Sequence, residues 1–145
     1  MADYTLGFIF SEDLSQVALL KRNDHQFHAF KTNGIGGKIE FGETPIAGIV
    51  RETKEETGLE IGESKWKYVG VMKSKDWRVW IFTAKTTETT STFPEIHEGT
   101  IAWHKTTEIP ETAVSNLSWL IPLSADMLTN KAVQSIAVWY NEENN

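Results

Sequence analysis

A glycine-dense run that leads directly into a helix start constrains this chain more than any other feature. Asn33-Gly34-Ile35-Gly36-Gly37-Lys38 carries too little side chain for an ordinary strand interior. Glycines in such a place mark a bulge or a point where a ligand or another backbone comes close. Shortly after it, Thr44-Pro45 is a helix start, with Thr44 as N-cap and Pro45 at the first helical position. The helix is predicted to run to Thr57, where Gly58 ends it. At about 100° per residue, Ile46, Ile49, Val50, Thr53 and Thr57 form one stripe that faces a core. Glu52, Glu55 and Glu56 then fall within a sector of about 100° beside and behind that stripe. Carboxylates so close repel one another, and solvent, cations or a bound metal must offset the repulsion.

Oxygen ligands of this kind suit the hard cations Mg²⁺ or Mn²⁺. A metal held by carboxylates is also the usual partner of a pyrophosphate: it cancels phosphate charge, orients the group and activates water. Taken alone, Glu-x-x-Glu-Glu is equally a common solvated helix face. It does not stand alone here. Gly37, five residues, Glu43, seven residues, then Arg51-Glu52-Thr53-x-Glu55-Glu56-x-Gly58-Leu59 resembles the Nudix box, Gx5Ex7REUxEExGU, over residues 37–59. Thr53 is the one soft position, where the family carries a bulky apolar residue.

The resemblance implies an α/β (α+β) protein, an α/β/α sandwich around a mixed sheet, that hydrolyses a nucleoside diphosphate linked to another group. It implies that Glu52, Glu55, Glu56 and the Gly37 carbonyl hold catalytic Mg²⁺ or Mn²⁺, and that Arg51 pairs with Glu43 to brace the loop against the helix. Lys38 is placed near the phosphates. A further carboxylate is expected from the loop Pro94-Glu95-Ile96-His97-Glu98-Gly99, with Glu98 the first choice and Glu95 the second. The general base is a glutamate of the box or one from this loop.

Within the family the chain is similar to the MutT-like branch. Tyr4-Thr5-Leu6, Phe27 and Asn33-Gly34-x-Gly36-Gly37-Lys38 match the oxidised-purine triphosphatases of that branch. On this resemblance Asn33 hydrogen-bonds the base edge, Phe27 packs on the base and Thr5 lines the pocket floor. Where those enzymes carry a tryptophan and an Asp-Asp pair before the last helix, this chain has Val114 and Asn116-Leu117. Asn116 is thus a base-binding candidate, and the oxidised-purine pocket is not fully reproduced. No proline lies between Pro45 and Pro94, which counts against ADP-ribose and NADH hydrolases. A Walker A loop is excluded by Thr32 and Ile39 at the positions it requires. A Nudix-fold module that binds nucleotides without cutting them is the rival from another class.

The rest of the chain supports one domain of 145 residues. Strands are expected at Tyr4–Phe10, Gln16–Lys21, Trp66–Lys73, Trp77–Lys85 and Thr100–Lys105, with a short edge strand at Phe27–Phe30. Leu117–Leu128 has helical spacing, its start limited by Pro122. Val133–Tyr140 is a final strand or a helix, the strand preferred, and the four histidines show no metal-ligand spacing. A net charge of −6 argues against a long nucleic acid as partner and leaves a small phosphorylated ligand. With no cysteine, no signal-peptide pattern and no apolar run of the roughly 18 residues that span a bilayer, a cytoplasmic protein, monomer or homodimer, is expected.

Overall fold

In the computed structural model, which describes residues 1–23, 29–89, 92–130 and 132–141, the first apolar run forms β1 (Ala2–Ser11). Asp13 closes the next turn by accepting hydrogen bonds from the Ser11 hydroxyl, the Ser15 N–H and the Ser15 hydroxyl. The chain returns as β2 (Gln16–Arg22). β1 and β2 pair only at Ile9–Ala18 and Phe10–Val17 and then part. The glycine-dense run fills the fork. β3 (Thr32–Asn33) pairs with β2 at Leu20 and Lys21, and β4 (Ile35–Lys38) pairs with β1 along Tyr4–Gly7.

Glycine is required in this wedge because the backbones touch. A Cβ on Gly34 would stand 2.7 Å from the Gly7 carbonyl oxygen, and one on Gly36 would stand 2.0 Å from that of Thr5. Gly36 also holds φ at 152°, which L side chains rarely adopt.

α1 (Pro45–Thr57) has the caps that the sequence predicts. Thr44 Oγ1 accepts from the Ala47 N–H at 3.2 Å, and Gly58 at φ 81° sends its N–H back to Lys54. β5 (Lys67–Lys73) and β6 (Trp77–Thr86), both expected as strands, pair as an antiparallel hairpin. β6 lies parallel to β1 over the full length of both, from Ala2–Trp77 to Ser11–Thr86. β7 (Gly99–Lys105) joins the outer edge of β2. After α2 (Leu117–Thr129), the preferred strand assignment near the end is met by β8 (Ile136–Trp139), which lies parallel to β5.

Period-two alternation sends side chains of each strand to opposite faces, and each face has its own helix. Phe8, Phe10, Val17, Leu19, Met72 and Ile81 pack with Leu117, Leu120, Ile121 and Met127 of α2. Ile9, Ala18, Leu20, Ile35, Phe82 and Ile101 pack with Ile49 of α1 and with Leu59, Ile61 and Trp66 beyond it. Burying each of the Val, Leu, Ile, Phe and Met side chains contributes about 1.5–3 kcal/mol. The result is the predicted helix–sheet–helix sandwich on a mixed sheet.

Two local expectations change. Ala29 and Phe30 form a turn, with Phe30 at φ 63°, rather than an edge strand; Phe27 lies outside the described residues. Pro122 sits inside α2 instead of near its start. It removes a bond that would end on the Ser118 carbonyl, and both residues are exposed, so water can satisfy that oxygen.

Thr53 is fully buried, yet its Oγ1 has no hydrogen-bond partner. A buried hydroxyl without a partner is destabilising by about 1–3 kcal/mol. Thr53→Val keeps the shape and removes that hydroxyl. We expect it to raise the melting temperature by about 2–4 °C, measured by thermal denaturation.

Candidate active site

The acidic face of α1 lies against the glycine wedge. Glu56 is 4% exposed, and its Oε1 accepts the Gly36 N–H at 3.0 Å. The Glu52 carboxylate lies over Gly37, where a Cβ would come within 2.7 Å of Oε1. Gly37 thereby makes room for a carboxylate directly beside its own backbone.

Arg51 holds the acidic groups together. Its Nε and Nη2 form a fork on Glu43, at 2.8 Å to Oε2 and 2.9 Å to Oε1. Nη2 also donates to the Lys38 carbonyl at 3.2 Å. Nη1 reaches Glu52 at 3.0 Å and Glu55 at 3.2 Å. A bidentate fork of this kind is short, strong and directional. It ties the loop between β4 and α1 to the helix, and Glu43 further accepts the Glu40 N–H at 3.1 Å. The Arg51 bond holds the Glu43 carboxyl below its ordinary value.

Burial acts oppositely on the other carboxylates. It pushes Glu52 upward. It pushes Glu56 up to about 8, helped by the charge of Glu52 and, to a lesser extent, Glu98, with the Gly36 N–H opposing. Glu98 therefore belongs to the same electrostatic group as Glu52 and Glu56, while Glu95, three residues earlier, is exposed. The Glu98 backbone is fastened by Asn23, whose N–H donates to its carbonyl at 3.1 Å and whose Nδ2 donates to the His97 carbonyl at 2.8 Å.

The structure brings together Glu43, Arg51, Glu52, Glu55, Glu56, Glu98, Gly37 and Lys38, although the Lys38 side chain is exposed. It adds Arg22, whose charge lowers the Glu56 pKa and whose strand partner is Gly99, next to Glu98. Nothing in the spacing marks Arg22, because the contact is made by strand pairing between distant segments.

The base-side candidates separate. Asn33 is half-buried in β3, with Oδ1 taking the Gly34 N–H at 2.8 Å. The segment before α2 is stitched to its neighbour: the Thr32 N–H donates to the Thr112 carbonyl at 2.9 Å, and the Val114 N–H donates back to the Thr32 carbonyl at 2.9 Å. Asn116 follows two residues later, its Oδ1 buried without a hydrogen-bond partner.

Thr5 is not with them. It pairs with Gly37 and is 2% exposed under α1, where a Cβ on Gly48 would meet its Cγ2 at 3.4 Å. Thr5, expected to line the floor of a base pocket, thus faces α1. Alternation along β1 gives Leu6, not Thr5, to the α2 side where Asn116 meets Met72.

The chemistry of the donor set fits a divalent cation: carboxylate oxygens beside a glycine backbone, one of them deeply buried. Among the described residues, no three carboxylate or imidazole side chains converge at ligand distances. Arg51 stands between two of the carboxylates instead.

Partly buried carboxylates beside a glycine wedge, in a helix–sheet–helix sandwich, are the setting of this site. The chain matches the NUDIX domain family over residues 3–131 and belongs to that family. It is 33% identical over 113 residues to the oxidized purine nucleoside triphosphate hydrolase of Mus musculus, covering 74% of this chain and 68% of that protein. Two solved structures share the fold. A mutator MutT protein of Bacillus halodurans has TM-score 0.68 at 21% identity, with 100% of this chain and 94% of that one covered. An ADP-ribose pyrophosphatase of Streptococcus suis has TM-score 0.68 at 15% identity, with 96% and 98% covered.

Because Glu56 rises from 4.5 to about 8, the folded protein binds a proton that the unfolded chain has lost throughout that interval. Metal-free stability should fall as pH rises from about 5 to 8. Thermal denaturation across this range should show Glu56→Gln losing less stability than wild type. Equal slopes would contradict the burial of a titrating Glu56. Arg51→Lys keeps the charge but loses the fork. We expect a lower melting temperature and at least about tenfold weaker hydrolysis.

Proposed function

We propose that this chain is a Mg²⁺-dependent (or Mn²⁺-dependent) nucleoside triphosphate pyrophosphohydrolase, converting a nucleoside triphosphate and water into the monophosphate and pyrophosphate. The observation that carries this reading is Glu56 on the Gly36 N–H and Glu52 over Gly37, with Glu98 near enough for its charge to act on both carboxylates. The Mus musculus relative, a triphosphate hydrolase by name, supports the choice of substrate class.

In this reading Glu52, Glu55, Glu56, Glu98 and the Gly37 carbonyl hold the cation, which when bound neutralises phosphate charge and lowers the pKa of water. Arg51 and Glu43 keep the loop and helix in register, so the glycine backbone meets the phosphates at a constant distance. Lys38 and Arg22 supply positive charge at the two sides of the cluster. A glutamate of the helix or Glu98 takes the proton of the attacking water. Asn33 and Asn116 face the base end. Water adds to one phosphorus of the triphosphate, the bridging P–O bond breaks, and pyrophosphate leaves.

We further propose that residues 1–145 act as one unit in the cytoplasm on small nucleotides. The absence of cysteine fits a reducing compartment. Among the described residues no helix is long and apolar enough to cross a membrane.

A substrate panel tests the proposal, with pyrophosphate and phosphate release read separately for canonical NTPs and dNTPs, 8-oxo-dGTP, ADP-ribose, a nucleotide sugar and a dinucleoside polyphosphate. We expect pyrophosphate from triphosphates with Mg²⁺ or Mn²⁺ and none with chelator. Glu55→Gln and Glu56→Gln should each lose at least about tenfold in turnover at saturating metal. Turnover that survives both changes would sink the assignment of the cation-holding residues.

A further inference from the structure

Glu98 stands on a tight turn. Ile96 and Gly99 face each other across an isolated bridge, with His97 and Glu98 between them. β7 begins at Gly99, where a Cβ would stand 2.0 Å from the Lys21 carbonyl oxygen. Only glycine lets the turn enter the sheet this close to β2. The carbonyls of the two central residues point away from the turn's own ladder and need donors from elsewhere.

Asn23 supplies both donors. β2 ends at Arg22, which pairs with Gly99. One residue further, the Asn23 N–H donates to the Glu98 carbonyl at 3.1 Å. The side chain reaches the next carbonyl along: Asn23 Nδ2 donates to the His97 carbonyl at 2.8 Å. Two successive residues of the turn are thus fastened to one residue at the end of β2. The fastened partners lie 74 residues apart in the chain.

The fastening works against a force. The Glu98 side chain is half-buried, and its charge raises both Glu52 and Glu56. Like charges repel, so the turn that carries Glu98 is pushed away from α1. The Arg51 guanidinium is taken up by Glu43, Glu52, Glu55 and the Lys38 carbonyl. The bonds from Asn23 oppose the push at the backbone, and because they end on carbonyls they do not engage the carboxylate oxygens.

We propose that Asn23 is a positioning residue for Glu98: it holds the 96–99 turn against carboxylate repulsion, so that the Glu98 carboxylate is in place before a cation arrives. This assignment rests on the reading that Glu98 helps to hold a divalent cation. Asn23 acts through Glu98 and touches neither cation nor substrate.

A double-mutant cycle on the full chain tests it. Mn²⁺ affinity is read without nucleotide from the electron paramagnetic resonance signal of the free ion. Turnover of a nucleoside triphosphate is read against Mg²⁺ concentration. Asn23→Ala removes one side-chain hydrogen bond. It should weaken Mn²⁺ binding and raise the Mg²⁺ concentration for half-maximal turnover, each by about three- to tenfold. The nucleotide KM at saturating Mg²⁺ should stay within about twofold of wild type. Asn23→Leu, similar in size and without a donor, should match it and serves where Asn23→Ala folds poorly. Glu98→Gln should weaken Mn²⁺ binding at least as much, and adding Asn23→Ala to it should cost less than about twofold more. If Asn23→Ala costs its full factor beside Glu98→Gln, Asn23 acts independently and the proposal is overturned. If Glu98→Gln binds Mn²⁺ like wild type, the proposal falls with the role of Glu98, while the pyrophosphohydrolase reading stands on its substrate panel. If Mn²⁺ binds but no triphosphate is hydrolysed, that reading fails and the Mn²⁺ cycle alone decides the role of Asn23. If Mn²⁺ does not bind, both fail.

Discussion

Arg51 is the interaction on which the site depends. One guanidinium meets Glu43 from the loop, the Lys38 carbonyl from the strand and two glutamates from its own helix. Without a cation at that point, the carboxylates of α1 would face one another and the glycine backbone across a narrow gap. The planar fork solves two problems with one group. It offsets part of the repulsion, and it fixes how far the helix stands from the strand. Lysine offers the charge without the geometry.

The second constraint is steric. β1 and β2 separate after two pairs of residues, and the wedge between them must pass close to two carbonyls already engaged in the sheet. Only glycine allows that approach. The consequence is chemical as much as structural: backbone N–H and C=O groups, rather than side chains, line the strand side of the carboxylate cluster. Polar backbone at a sheet fork and acidic side chains on a helix form complementary halves of one site, and neither half has this chemistry alone.

Much of this was readable in the chain itself. The extent of α1 followed from Thr44, Pro45 and Gly58, because caps act within a turn of the residues that specify them. The partnership of Arg51 with Glu43 followed from a resemblance that covers both. What depended on pairing between distant segments was not readable. Arg22 comes beside Gly99, next to Glu98, only because β2 pairs with β7. That Thr5 lies under α1 was not readable, since alternation says which residues share a face but not which helix covers it. Phe30 reads as aromatic strand material, yet it lies in a turn with positive φ. Thr53 shows a different limit: a hydroxyl on the apolar stripe reads as tolerable by pattern, and only burial reveals that it has no partner.

The parallel pairing of β1 with β6 has a bearing on how the protein is made. β1 lies against a strand that begins at Trp77 along its entire length. Its other edge is shared between β4 and a brief contact with β2. Contacts so distant along the chain must overcome loop-closure entropy before they return any stability. The helix with the carboxylates and the wedge beneath it are therefore synthesised well before the sheet that supports them can close, and the acidic cluster is assembled only when the central strand finally acquires its partner.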